Sequence, residues 1–423
     1  MKAIAIRKRR LLLALILAGA LLSTWLWLSA LLLNAAGVGA DVQPMATDRY
    51  VSKTGTNSGG CTVATSPCET IQFAVDVANP GDRILVAGGT YTDVHARSGV
   101  TQVVYISKTL TLIADYNSAF TARDDATILR ALGQGRLFYV TGPITVTLDG
   151  FGLNAGNAKA GGGVTPHGGA ILSYADMLSL INVAMLGNDA PDSSARGGGV
   201  FHEFGTLSIE GSEFNLNSAG QSGGGLFVRN GDLYMRDTHF NKNFAGTGGG
   251  VDLIRVRAWM TNTIFFENGA TSYGSAIDTG GSIAHLWHTS LTLDGFNNSA
   301  VYVGYGTFGP STVYMTNTLA VSHSVAISTG TVLNTAVLNG VLWNGNDQNT
   351  GGGGTITVTN AYTGSADFEF EGFTIGANSA AINRGVPSPV STDFGGDPRL
   401  GAPDLGADEY VIYIFLPLTL RNF

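Results

Sequence analysis

Blocks of glycine recur through the middle of the chain, at Gly197 to Gly199, Gly223 to Gly225 and Gly248 to Gly250, and the residues after each block keep step. Anchors at Ala170, Gly199, Gly225, Gly250 and Ala276 stand 29, 26, 25 and 26 residues apart. Fifteen residues lead without a gap from each anchor to Met185, Phe214, Phe240, Phe265 and Leu291, so length variation is confined to the stretch beyond. A repeat of this size is too short to bury its own apolar face and must stack on its neighbours. Collagen is excluded, because the 59 glycines do not fall at every third position.

Two short runs with a period of two occupy each fifteen-residue stretch. In the first, Ile171, Val200, Leu226, Val251 and Ile277 share an inward column. In the second, Leu178, Leu207, Leu233, Ala258 and Ala284 form one inward column, and Leu180, Ile209, Met235, Met260 and Leu286 form the next. Alternation over four or five residues before a turn marks strands and not helices. Strands in every 25-residue unit wind as a parallel β-helix with rungs about 4.8 Å apart, so an aligned column is a physical ladder. Asn182, Gly211, Asp237, Asn262 and His288 fall at one corner and Asn188, Asn217, Asn243 and Asn268 at another. Asn and Gly accept the left-handed backbone of a sharp corner, and stacked amides bond rung to rung, so these ladders read as structural. The fold class is all-β, with residues 70–350 as about eleven rungs and a rod of roughly 50 Å.

Residues 1–40 carry Lys2, Arg7, Lys8, Arg9 and Arg10 before an apolar run from Leu11 to Leu33, which reads as a signal peptide or an uncleaved N-terminal membrane anchor helix. The remainder has 18 basic against 31 acidic residues and no basic stripe, so nucleic acid is not an expected partner. Contact with a membrane is expected only through the N-terminal segment. Cys61 and Cys68 are the only cysteines and read as a local disulfide in an oxidising compartment. Residues 41–90 are the entry and cap, 351–410 a C-terminal cap, and 411–423 an apolar tail whose apolar stretch, Val411 to Leu420, is only ten residues long and too short to cross a bilayer as a helix.

The segment from Cys61 to Tyr91, with Pro67-Cys68-Glu69-Thr70-Ile71-Gln72 and Asn79-Pro80-Gly81-Asp82-Arg83-Ile84, resembles the opening of right-handed parallel β-helix proteins of the pectin-lyase-like superfamily. Asp393-Phe394-Gly395-Gly396-Asp397-Pro398-Arg399 with Pro403-Asp404-Leu405-Gly406 resembles the terminus of choice-of-anchor Q proteins. The resemblance implies a right-handed solenoid that is secreted or displayed on the cell surface. It does not fix an activity, since the superfamily holds lyases, hydrolases and adhesins.

Chemistry is sought in the outward columns of the first strand. Phe201, Phe227, Asp252, Asp278 and Tyr302 fall in one, and Glu203 and Arg229 in the next, with Arg255 just beyond. Asp252 and Asp278 on neighbouring rungs would raise one another's pKa or bind a hard cation such as Ca2+, although no cofactor is required. Arg229 or Arg255 would neutralise a uronate or take part in proton abstraction, which makes these four the candidate catalytic residues. Phe201, Glu203, Phe227 and Tyr302 are the candidate ligand-binding residues, the rings by stacking on sugars. The competing reading is a cross-rung charge ladder of Glu203, Arg229 and Asp252. Trp259, Trp287 and Trp343 fall in strand columns and are open to either use, and His202 falls inward as a core histidine. No polygalacturonase-type motif is present. The expectation is a monomer that binds an extracellular polysaccharide or cell-surface glycan without catalysis, with a polysaccharide lyase or glycoside hydrolase acting on an acidic polysaccharide as the alternative.

Overall fold

The computed structural model describes residues 46–160, 165–293, 298–304, 308–369 and 374–411. The leader expected over 1–40 and the tail beyond residue 411 lie outside them. Thirty strands and one helix, Ile71–Val77, make up the described regular structure. Twelve strands stack in parallel along one side, from Asp48–Val51 to Thr355–Thr363, with no break in order. The chain is a parallel β-solenoid.

Each central turn of the solenoid has three ribbons of the main sheet, and a shorter fourth, Asp189–Ala190, Ser218–Ala219, Phe244–Thr247 and Gly269–Tyr273, stacks in parallel beside them. The first holds the strands after the glycine blocks, Val200–Glu203, Leu226–Arg229, Val251–Ile254 and Ile277–Gly280. The second holds Thr206–Glu210 and the opening halves of Asp232–Asn241, Arg257–Phe266, Ile283–Thr292 and Thr312–Val321. Those long strands bend at the corner column, where Asp237, Asn262, His288 and Asn317 all have φ between 48° and 59°. Their second halves form the third ribbon.

Register follows the columns of the sequence. Ile171, Val200, Leu226, Val251 and Ile277 are successive partners, as are Leu178, Leu207, Leu233, Ala258 and Ala284. Phe214, Phe240 and Phe265 pile inside the third ribbon with ring centroids 4.5 and 5.1 Å apart. Beyond them, each of Asn188, Asn217 and Asn243 donates its Nδ2 to the Oδ1 of the next rung's Asn at 2.9 Å, all fully buried. The same Nδ2 groups also donate to backbone carbonyls, so the ladder satisfies itself without water.

The two ends of the rod differ. At the first, Thr70 caps the Ile71–Val77 helix, which buries Ile71, Ala74 and Val75, and Cys61 and Cys68 form a disulfide with Cα atoms 5.3 Å apart. At the other, Thr355–Thr363 is largely exposed and pairs only with Thr335–Asn344 among the described residues. Within the stretch 351–410 expected as a C-terminal cap, the residues from Val386 to Thr392 run along the flank as a strap. Asn317 holds both the amide and carbonyl of Val386, His288 Nε2 meets Ser388 Oγ at 2.8 Å, and Asn262 Nδ2 donates to the Thr392 carbonyl at 3.0 Å. The left-handed corner thus does two jobs, turning the chain and presenting polar side chains to the strap.

Candidate functional site

Asp252 and Asp278 are register partners between Phe227 and Tyr302, as the column requires. Their surroundings are not those of an open groove. Phe201, Phe227, Asp252 and Asp278 are each at most 1% exposed, although all four point away from the solenoid core. The cause lies in the turn before each strand. Gly197, Gly223, Gly248 and Gly274 have φ between 55° and 68°, and a Cβ there would lie 2.3 to 2.5 Å from the carbonyl oxygen three residues on. Only glycine permits so tight a fold.

The fold brings the preceding residues, His167, Arg196, Ser222, Thr247 and Tyr273, over the outward column, His167, Arg196 and Tyr273 onto the rung further along and Thr247 onto its own. His167 stacks on Phe201 at 4.6 Å, the Arg196 guanidinium sits 5.1 Å from the Phe227 ring, and Tyr273 stacks on Tyr302 at 4.4 Å. Thr247 Oγ1 donates to Asp252 Oδ2 at 2.9 Å and lies 3.1 Å from Ser222 Oγ. The candidate ligand-binding rings Phe201 and Phe227 are therefore out of a glycan's reach, and Tyr302 has one face covered.

Burial raises the Asp252 carboxyl to about 7, and burial followed by the Asp252 charge raises Asp278 well above the carboxylate range. Asp252 Oδ1 has no hydrogen-bond partner, and polar support for the Asp278 carboxyl is limited to the Thr279 backbone and Thr247. A proton on one carboxyl removes the repulsion between the pair and part of the cost of burying it. A Ca2+ ion takes six to eight oxygens, whereas this pair offers two carboxylates in a closed setting.

The candidate arginines are engaged elsewhere. Arg229 Nε donates to Glu203 Oε1 at 2.8 Å, so the Glu203–Arg229 part of the charge ladder exists and Asp252 is outside it. Arg255 is exposed at φ 55°, beyond the strand end, with its guanidinium 5.5 Å from the Phe308 ring. No acid, base and cation converge on an accessible point here. His202 is buried inward with Nδ1 3.0 Å from Ser173 Oγ, and burial lowers its pKa to about 4, which keeps it neutral.

The second ribbon presents the contrary case. Its outward column runs Ser208, Tyr234, Trp259, His285 and Tyr314 in register. The four rings stack with centroids 4.8, 6.4 and 4.7 Å apart and planes within 9° of parallel. Tyr234 is 46% and Tyr314 40% exposed. Glu210, Arg236 and Trp287 stand two residues along the same strands, with Arg236 paired to Glu210. A cleft of about 240 Å³ lies among Ser208, Glu210, Tyr234, Arg236 and Trp259. A second, of about 300 Å³, lies between Arg236, Thr261 and Trp287 and the strap residues Pro389 to Thr392. Trp259 and Trp287 fall in strand columns of the sequence, and the repeat spacing that aligns the first ribbon also aligns Ser208, Tyr234, Trp259 and His285, which identifies the exposed column. Trp343 is buried.

No family model matches the chain, and no curated protein matches its sequence. Among solved structures it is similar to pectate lyase Pel9A, at 17% identity and a TM-score of 0.44, over 86% of this chain and 96% of that one. It is also similar to a rhamnogalacturonan lyase, at 15% identity and a TM-score of 0.32, over 69% of this chain and 74% of that one.

Proposed function

We propose that the protein is an extracytoplasmic glycan-binding β-solenoid that does not cleave its ligand, and that it binds through the second ribbon. The observation that carries the reading is the contrast between an exposed row of rings bordered by an ion pair and a carboxylate pair sealed beneath its own turn. Exposed aromatic side chains beside polar ones suit sugars, which offer both C–H faces and hydroxyls. The Cys61–Cys68 disulfide fits an oxidising compartment. Display at a cell surface is proposed from the resemblance of Asp393 to Arg399 and Pro403 to Gly406 to a choice-of-anchor Q terminus.

The test is retention of the full chain on a panel of neutral and acidic polysaccharides, with and without chelator, alongside assays for new reducing or unsaturated ends. Retention without new ends, unchanged by chelator, is the expected result. New ends that disappear in Asp252→Ala would establish the lyase or hydrolase reading instead.

A further inference from the structure

Within a stack of parallel rings, each internal ring has both faces covered by its neighbours. Trp259 lies between Tyr234 and His285, and His285 between Trp259 and Tyr314. Tyr234 is different: one face meets Trp259 at 4.8 Å with planes 5° apart, and the rung on its other side carries Ser208. Ser179 lies beyond Ser208 in the same column, so the stack stops at Tyr234. The gap left by the small side chain is one rung high, the height that an aromatic side chain at position 208 would fill.

We propose that this gap is a subsite for one neutral pyranose ring, its C–H face on the free face of Tyr234. The inference rests on the glycan-binding reading above and assigns it a position and a ligand class. Glu210 and Arg236 border the slot, and their carboxylate and guanidinium accept from and donate to ring hydroxyls. Because the two charges cancel each other and the chain as a whole carries a net charge of −8, a polyuronate gains no attraction at the slot and is repelled at long range. The cleft beneath Pro389 to Thr392 shares Arg236 and Thr261 with the slot, so a bound oligosaccharide has a continuous path from Tyr234 toward Trp287.

The experiment titrates the full chain with cellohexaose, laminarihexaose, mannohexaose and oligogalacturonate, reading binding by calorimetry and by Trp fluorescence. Wild type is expected to bind at least one neutral hexaose more tightly than oligogalacturonate. Ser208→Phe, which extends the ring stack into the gap and needs no change of fold, is expected to weaken that binding at least tenfold at a melting temperature no lower than that of wild type. Ser208→Ala, which leaves the gap open, keeps binding within about threefold. Neutral binding that survives Ser208→Phe would overturn the subsite while leaving glycan binding intact, and so would loss in Tyr314→Ala without loss in Tyr234→Ala. Tighter binding of oligogalacturonate would overturn the ligand class. Binding of no glycan at all would overturn the function itself, and the subsite with it.

Discussion

Phe227 and Tyr234 lie seven residues apart in one rung, each on an outward column of a parallel strand stack, yet Phe227 is fully buried and Tyr234 is nearly half exposed. Their strands are alike; what precedes them is not. The first ribbon follows a glycine turn so tight that Ser222 and its column partners fold back over it, whereas the second follows a short corner at Asn230 and Gly231 that leaves the face open. In a solenoid, pointing away from the core and reaching solvent are separate properties, and the turn decides between them.

The largest effect that sharpens this contrast is expected from Phe227→Ala. The ring is stacked on Phe201 at 5.3 Å and covered by Arg196, so its removal opens a cavity outside the solenoid core but inside the protein. A loss of about 3–5 kcal/mol is expected, the range for a buried aromatic, measured by denaturant unfolding. A loss below about 1 kcal/mol, in the range of a surface substitution, would show that the turn does not seal this face.

The carboxylate pair comes next. Asp252 rises from an ordinary 3.8 to about 7, and Asp278 rises well above 3.8 through burial and then the charge of its neighbour. A group raised in the folded state holds its proton more tightly there, so its stabilisation is complete below about pH 4 and is lost as pH climbs through about 7. For Asp252 that loss is on the order of 4 kcal/mol once both states are ionised. The double variant Asp252→Asn, Asp278→Asn is expected to match wild type in acid and exceed it at pH 8, read as melting temperature against pH. Asp408, raised to about 7 by burial, gives both proteins a slope of the same sign, so the difference between the two curves is the measurement. Parallel curves would mean that the pair is hydrated and the face open.

Most of the architecture was legible from the sequence because period-two alternation and glycine spacing are both set by backbone geometry. The inward columns, the Phe214 to Phe265 pile and the Asn188 to Asn268 ladder all follow from that spacing alone. The candidate site was legible only in register. That Asp252 and Asp278 are neighbours follows from counting; that they are sealed depends on Arg196, Ser222, Thr247 and Tyr273, which form their own column at the same spacing but sit on the far side of a reversal that alternation does not report. Phe201 and Phe227 in that column were themselves a sign of a covered face. The strap was not legible for a similar reason, since its bonds to Asn262, His288 and Asn317 link positions 69 to 130 residues apart.

The smallest stability effect is expected at Tyr234, and it bears most directly on function. Tyr234→Ala removes a ring that is 46% exposed and stacked on Trp259. An aromatic pair of this kind contributes about 0.5–1.5 kcal/mol, and no sealed cavity forms, so denaturant unfolding is expected to show a loss of about 1 kcal/mol. Set against Phe227→Ala, the same removal of an outward ring then costs several times less on one ribbon than on the other. Equal losses would erase the distinction between the faces. A small loss accompanied by weakened retention on a neutral polysaccharide would separate the ring's role in binding from its role in folding, which no substitution in the sealed column can do.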